Sequence, residues 1–251
     1  MINLKTSEDL GKMVKGGKIL SEVMWQLSDF IKEGISEIEI DRLAEKLIKE
    51  KGAEPGFKRV DGYKHTICVS TNDVVVHGIP TNYKLKKGDI IGIDCGVYLD
   101  GFHTDMSETF RVAAQNSDKV QKFLDTGKIA LNAAIKQAKI GNHVGDISKT
   151  IQDIVEAGGY SVVESLVGHG VGKELHEEPE VPGYLVGRVQ DTPLLKEGMV
   201  IAIEVIYNMG GPDLVYANKD GWTLKTKDGS LGGLYERTVA ITKNGPMVLT
   251  P

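Results

Sequence analysis

The stretch GDIIGIDCGVYLDGFHTD, Gly88 to Asp105, decides how this chain is read. Ile90, Ile91 and Ile93 favour a strand, and Asp100-Gly101 is a strong signal for a two-residue type I′ turn. Such a turn pairs Leu99 with Phe102, and counting back along both strands sets Gly96 opposite Asp105. Side chains alternate faces along a strand, so Asp94 and Asp105 share a face as diagonal neighbours, about 7–8 Å apart at Cα. Two carboxylates so placed can hold metal ions between them, with Gly96 leaving the room. Taken alone the hairpin reads better as a solvated face, because Asp-Gly turns and exposed aspartates are common.

Upstream, apolar residues three or four apart from Leu10 to Ile31 predict a long amphipathic helix over about Thr6 to Glu33, with Gly34 beyond its end. Ser36 and Glu39 form a capping box for a second helix running to about Lys51 and stopped by Gly52. Thr66 to Ser70 and Val74 to Val76 read as strands before the central hairpin. Downstream the order returns. A long helix carries Phe123 to Ala138, a shorter one carries Ile147 to Val155, and a strand is expected over Tyr160 to Leu166.

The repetition is visible in the letters. LKKGDIIGID at 85–94 returns as LKEGMVIAIE at 195–204, so Asp94 is matched by Glu204, and HGIP at 77 is loosely echoed by HGVG at 169. An internal duplication follows, with halves at roughly 6–111 and 117–242 packed about a pseudo-twofold axis. The strands ending in Asp94 and Glu204 are expected to meet near that axis, with helices outside. The expected fold class is α+β, one domain over 1–251.

Composition narrows the function. A 41% hydrophobic and 26% charged content is ordinary for a globule, and a net charge of −5 without charge blocks argues against a surface built to hold naked nucleic acid. The N-terminus carries charges where a signal peptide needs its apolar region, and no run reaches the roughly 20 apolar residues of a membrane span. The expected location is the cytoplasm. Cys68 and Cys95 make neither a disulfide framework nor a C-x-x-C motif.

The chemistry gathers in few residues. GHGVGKELHEEP, Gly168 to Pro179, sets His169 between glycines and follows it with His176. On a strand their seven-residue spacing puts the two on opposite sides, and on a helix roughly 10.5 Å apart, so neither geometry lets both bind one ion easily. Glu236 in LYERTVAIT, singly, reads as a strand-edge surface charge ahead of a strand over Thr238 to Thr242. Together, Asp94, Asp105, His169, Glu204 and Glu236 hold too much negative charge to bury without cations. Two divalent ions would resolve it, and an oxygen-rich set with one nitrogen suits Mn, Fe, Co or Zn. Two such ions about 3.5–4 Å apart serve hydrolysis.

These segments, NDVVVHGIP, GIDCGVYLDGFHTD, GHGVGKELHEEP, the IE at 203–204 and YERTVAIT, closely resemble the type I methionine aminopeptidases, in order and spacing, over nearly the whole chain. The resemblance implies the short bacterial form of the pita-bread fold and removal of initiator methionine from nascent chains and peptides with a small second residue. It implies Asp94 as a terminal ligand, Asp105 and Glu236 as bridges between two ions, and His169 and Glu204 on the second ion, Glu204 also shuttling protons. His77 and His176 would contact the substrate at the scissile amide, and Tyr63, Cys68 and Trp222 would line the methionine pocket. A transient ribosome contact is a family expectation, and a monomer is expected because no apolar stripe is left over. Leu175, Val205, Leu234 and Arg237 depart from the family pattern, and Arg237 is expected to alter the field at Glu236. The rivals are a pita-bread enzyme cutting before proline and a binding protein that has lost catalysis.

Overall fold

Asp100 and Gly101 both take positive φ, 51° and 89°, the backbone a type I′ turn demands. They close a hairpin in which Leu99 faces Phe102 and Gly96 faces Asp105, the register counted from the sequence. Around it the computed structural model describes residues 2–113 and 118–251. The expected start of the second half at 117 lies outside the described residues.

Helix α1 (Ser7–Phe30) is capped by Thr6, whose hydroxyl accepts from Asp9 N–H while the Asp9 carboxylate accepts from Thr6 N–H. Helix α2 (Glu37–Glu50) starts at the expected box, with Ser36 N–H donating to the Glu39 carboxylate at 2.8 Å. Next come β1 (Glu54–Pro55), a 3-10 turn at Phe57–Arg59, β2 (Ile67–Thr71), β3 (Val74–Val76) and the hairpin strands β4 (Ile90–Leu99) and β5 (Phe102–Arg111). The second half supplies α3 (Asp118–Ile135), α4 (Val144–Ala157), β6 (Ser161–Val162), β7 (Val167–Gly170), β8 (Glu177–Pro182) and β9 (Val200–Asn208). The chain ends with β10 (Leu214–Tyr216), β11 (Leu224–Thr226), β12 (Gly232–Thr242) and β13 (Gly245–Val248).

The main sheet runs β1-β4-β5-β12-β9-β7-β8, and every pair is antiparallel. This corrects the expected arrangement at the centre. Strands β4 and β9 do not meet; β5 and β12 lie between them, and Asp94 and Glu204 sit mid-strand rather than at strand ends. The expected strand over Tyr160–Leu166 also breaks: β6 is two residues long, Val163 N–H donates to Ile206 O, and pairing resumes at β7.

Both helix pairs cover the same face of the sheet. Leu20, Met24, Leu27, Ile40 and Ile48 of α1 and α2 bury Ile91, Ile93, Cys95 and Met106. Phe123, Ile147, Ile151 and Val155 of α3 and α4 bury Ile201, Ile203, Val205, Tyr207 and Tyr235. Met106, Arg237 and Ile203 are cross-strand partners in one row, which places both cores on one side. The period-two alternation turns their neighbours to the other side.

Candidate metal centre

The row beside that one crosses the sheet as Cys68, Asp94, Ser107, Glu236 and Glu204, each directly opposite the next. Two rows along, beyond the row of Met106 and so on the same face as the carboxylates, Gly96 aligns with Asp105 and Thr238 with Ala202. Asp94, Asp105, Glu236 and Glu204 therefore occupy four adjacent strands on one face, one carboxylate to a strand, and β7 adds His169 on the fifth. Like charges directly opposite each other, as Glu204 and Glu236 are, oppose folding unless something neutralises them.

The atoms converge. Asp105, His169 and Glu236 each offer a ligand atom within 4.8 Å of the others. His169 Nε2 lies 3.5 Å from Glu204 Oε1 and 3.9 Å from Asp105 Oδ2. Its Nδ1 is 2.9 Å from the Gly170 carbonyl oxygen, so Nδ1–H donates there and leaves Nε2 bare towards the carboxylates. Burial, with His176 alongside, lowers the imidazole to about 4, so it is neutral. Burial pushes Asp94, Asp105, Glu204 and Glu236 all above the usual carboxylate range, and repulsion from neighbouring carboxylates adds to it at Asp105, Glu204 and Glu236. Asp94 Oδ1, Ser107 Oγ and Glu236 Oε1 are buried with no hydrogen-bond partner among the described residues. Unpartnered acceptors, clustered carboxylates and one bare imidazole nitrogen fit divalent cations.

Glu236 is thus no edge charge: it is 2% exposed in the middle of an eleven-residue central strand. Arg237 faces the opposite side, where it pairs with Glu108 at 2.7 Å and donates to Ser107 O. Its pull on Glu236 is weaker than the opposing effects of burial and of the other carboxylates. Val205 is buried in the core beneath α3 and α4, and Leu234 is buried in a separate cluster with Val75, Val163 and Ile206.

Thr238 holds Asp105 in place by accepting from its N–H at 2.8 Å and donating to its carbonyl at 2.7 Å. His77 has φ of +56°, a strained backbone for a non-glycine residue, next to Gly78, where a Cβ would stand 1.8 Å from Val69 O. The spacing argument that separated His169 from His176 fails. The segment is neither one strand nor a helix but a β7–β8 hairpin with an irregular register after His169, and the two rings meet at 4.3 Å.

All ten residues singled out in the sequence border one cavity of about 80 Å³, with Phe57, Val60 and Leu175. Tyr63 donates to Ile67 O at 2.8 Å and meets Trp222 edge to face at 5.1 Å. Burial raises the Cys68 thiol, so it lines the cavity as a neutral group. Sequence reasoning missed Phe57, Val60 and Ser107. Only Ser107 carried a signal, its even spacing from Asp105. Gly96 was read as leaving room for ions, but the space is filled: a Cβ there would lie 2.7 and 2.9 Å from two carbons of the Phe57 ring.

Comparison with known proteins agrees with this geometry. Residues 11–243 match the model of metallopeptidase family M24. A methionine aminopeptidase of Clostridium perfringens is 45% identical over 250 residues, covering 100% of this chain and 99% of that protein. The crystal structure of methionine aminopeptidase from Rickettsia prowazekii superposes with a TM-score of 0.96 at 34% identity, covering 100% of both chains. A prolidase from Pyrococcus furiosus is more distant, with a TM-score of 0.76, 26% identity and coverage of 99% of this chain and 65% of that one.

Proposed function

From the premise that the chain belongs to metallopeptidase family M24, with the pita-bread fold of its methionine aminopeptidases, we propose that it removes N-terminal methionine from peptides and nascent proteins whose second residue is small. The observation that carries the reading is the set of five ligand-type residues on five adjacent strands, facing a cavity walled by Tyr63, Cys68 and Trp222. Asp94, Asp105, His169, Glu204 and Glu236 would hold two divalent ions, with Co, Mn, Fe or Zn as candidates. Such ions polarise a scissile carbonyl and make water a nucleophile at neutral pH.

The protein's own groups do the rest. The methionine side chain enters the cavity against Phe57, Tyr63 and Trp222, which fixes the amide against the carboxylate row. Glu204 is the proton carrier between water and the departing amine. His176, whose ring is lowered by burial and so stays neutral, donates a hydrogen bond to the carbonyl oxygen as it gains charge, and His77 orients the scissile amide from the other side. The wall formed by Tyr63, His77 and Trp222 leaves little space for a bulky second side chain. We place the activity in the cytoplasm, on a single catalytic domain over 1–251, acting as a monomer in passing contact with the ribosome. No helix among the described residues is long and apolar enough to cross a membrane.

The test is release of free amino acid by metal-loaded protein from short peptides beginning Met-Ala, Met-Lys and Ala-Pro. Met-Ala should be cut much faster than Met-Lys. Preferential release of the residue before proline would favour a prolidase-like activity instead.

A further inference from the structure

His176 ends the loop between β7 and β8, and the next residue, Glu177, forms a buried ion pair with Lys5. Lys5 Nζ lies 2.7 Å from Glu177 Oε2, and the two side chains are only 4% and 6% exposed. The loop is wrapped on that carboxylate. Glu174 N–H donates to Oε1 at 3.3 Å, and a Cβ on Gly172 would stand 2.3 Å from the same oxygen. The Gly172 carbonyl in turn accepts from His103 N–H, on the strand of Asp105, at 2.7 Å. The other end is also anchored. Lys5 N–H donates to Gly198 O at 2.7 Å, just before the strand of Glu204, and Lys5 Nζ donates to Asn3 O at 3.1 Å. A charge pair this buried holds its geometry only while both partners are present.

We propose that the Lys5–Glu177 pair is a positioning device, through which the N-terminal segment locks the loop and holds the His176 imidazole in register with the carboxylates of β5 and β9. The inference rests on the role given to His176 above, and its test separates the two. Removing both charges at once, as Lys5→Met/Glu177→Gln, avoids leaving one buried and alone.

Zinc-loaded wild type, the double variant, His176→Ala and the triple variant are compared for metal content, kcat and KM on a Met-Ala peptide. Histidine-labelled NMR is recorded on each, with the His176 resonances assigned by their loss in His176→Ala. The double variant should keep its metal and KM, lose roughly 10- to 100-fold in kcat, and show displaced His176 ring resonances. In the His176→Ala background the same two substitutions should cost less than about twofold, because the pair acts through that ring. Lys5→Arg, which keeps the pair, should retain turnover close to wild type. Unchanged His176 resonances in the folded, metal-loaded double variant overturn the inference whatever the activity, and so does an equal kcat loss in both backgrounds. Normal turnover of His176→Ala alone would instead remove the catalytic role of His176, leaving the resonances to decide the positioning. Should the double variant not fold, Glu177→Asp, which shortens the reach to Lys5, is read in the same way.

Discussion

Replacing Gly96 with alanine puts a methyl group 2.7 and 2.9 Å from Phe57 ring carbons, where ordinary contact begins at 3.4 Å. The strand cannot yield easily, because Cys95 and Val97 on either side are paired to β2 and β1, and Gly96 O accepts from Gly56 N–H at 2.7 Å. The ring must therefore retreat by about 0.7 Å, into a cavity of only about 80 Å³. Overpacking of this kind costs about 1–3 kcal/mol. If the strain is relieved at the expense of the methionine side chain, kcat/KM falls roughly 5- to 150-fold, mostly through KM. Steady-state kinetics on a Met-Ala peptide, metal content and Tm of Gly96→Ala measure the three consequences together, and Phe57→Leu in the same chain should recover part of the loss. Normal KM with lost metal would refute this reasoning and restore the simpler idea that Gly96 makes space for ions opposite Asp105.

His176→Ala should keep both metals and the fold while kcat drops about 10² to 10³-fold, the usual cost of one lost donor to a developing oxyanion; metal content and kcat measured on one preparation decide it, and loss of an ion would make His176 a ligand. Thr238→Val removes both hydrogen bonds to the Asp105 backbone without changing shape. Each group left unpartnered costs about 1–3 kcal/mol, so Tm should fall by several degrees and metal affinity with it. An unchanged melting curve would show that water replaces the hydroxyl.

The parts of this molecule that were legible in its sequence are those fixed by neighbours in the chain. Asp100-Gly101 sets the hairpin register because only a few residue types accept two successive positive φ values, and Ser36 with Glu39 marks a helix start because the cap is local. The site residues were legible as letters in motifs, yet their row across the sheet was not. Strand order depends on non-local pairing, so the sequence could match Asp94 with Glu204 but could not insert β5 and β12 between them. Phe57 lies in a 3-10 turn with no periodicity to mark it, and reaches the cavity only because Gly96 has no side chain. The contact of His169 with His176 depends on an irregular register that neither strand nor helix spacing contains.

If the carboxylates of β4, β5, β9 and β12 hold two divalent ions, titration of metal-stripped protein with Mn, Co, Fe and Zn in turn, following heat and methionine release together, reads out both the binding and its consequence. The expected result is two ions per chain for wild type, with turnover appearing as they bind, and loss of metal in Asp105→Ala. Full turnover without added metal, or undiminished two-ion binding in Asp105→Ala, would contradict it.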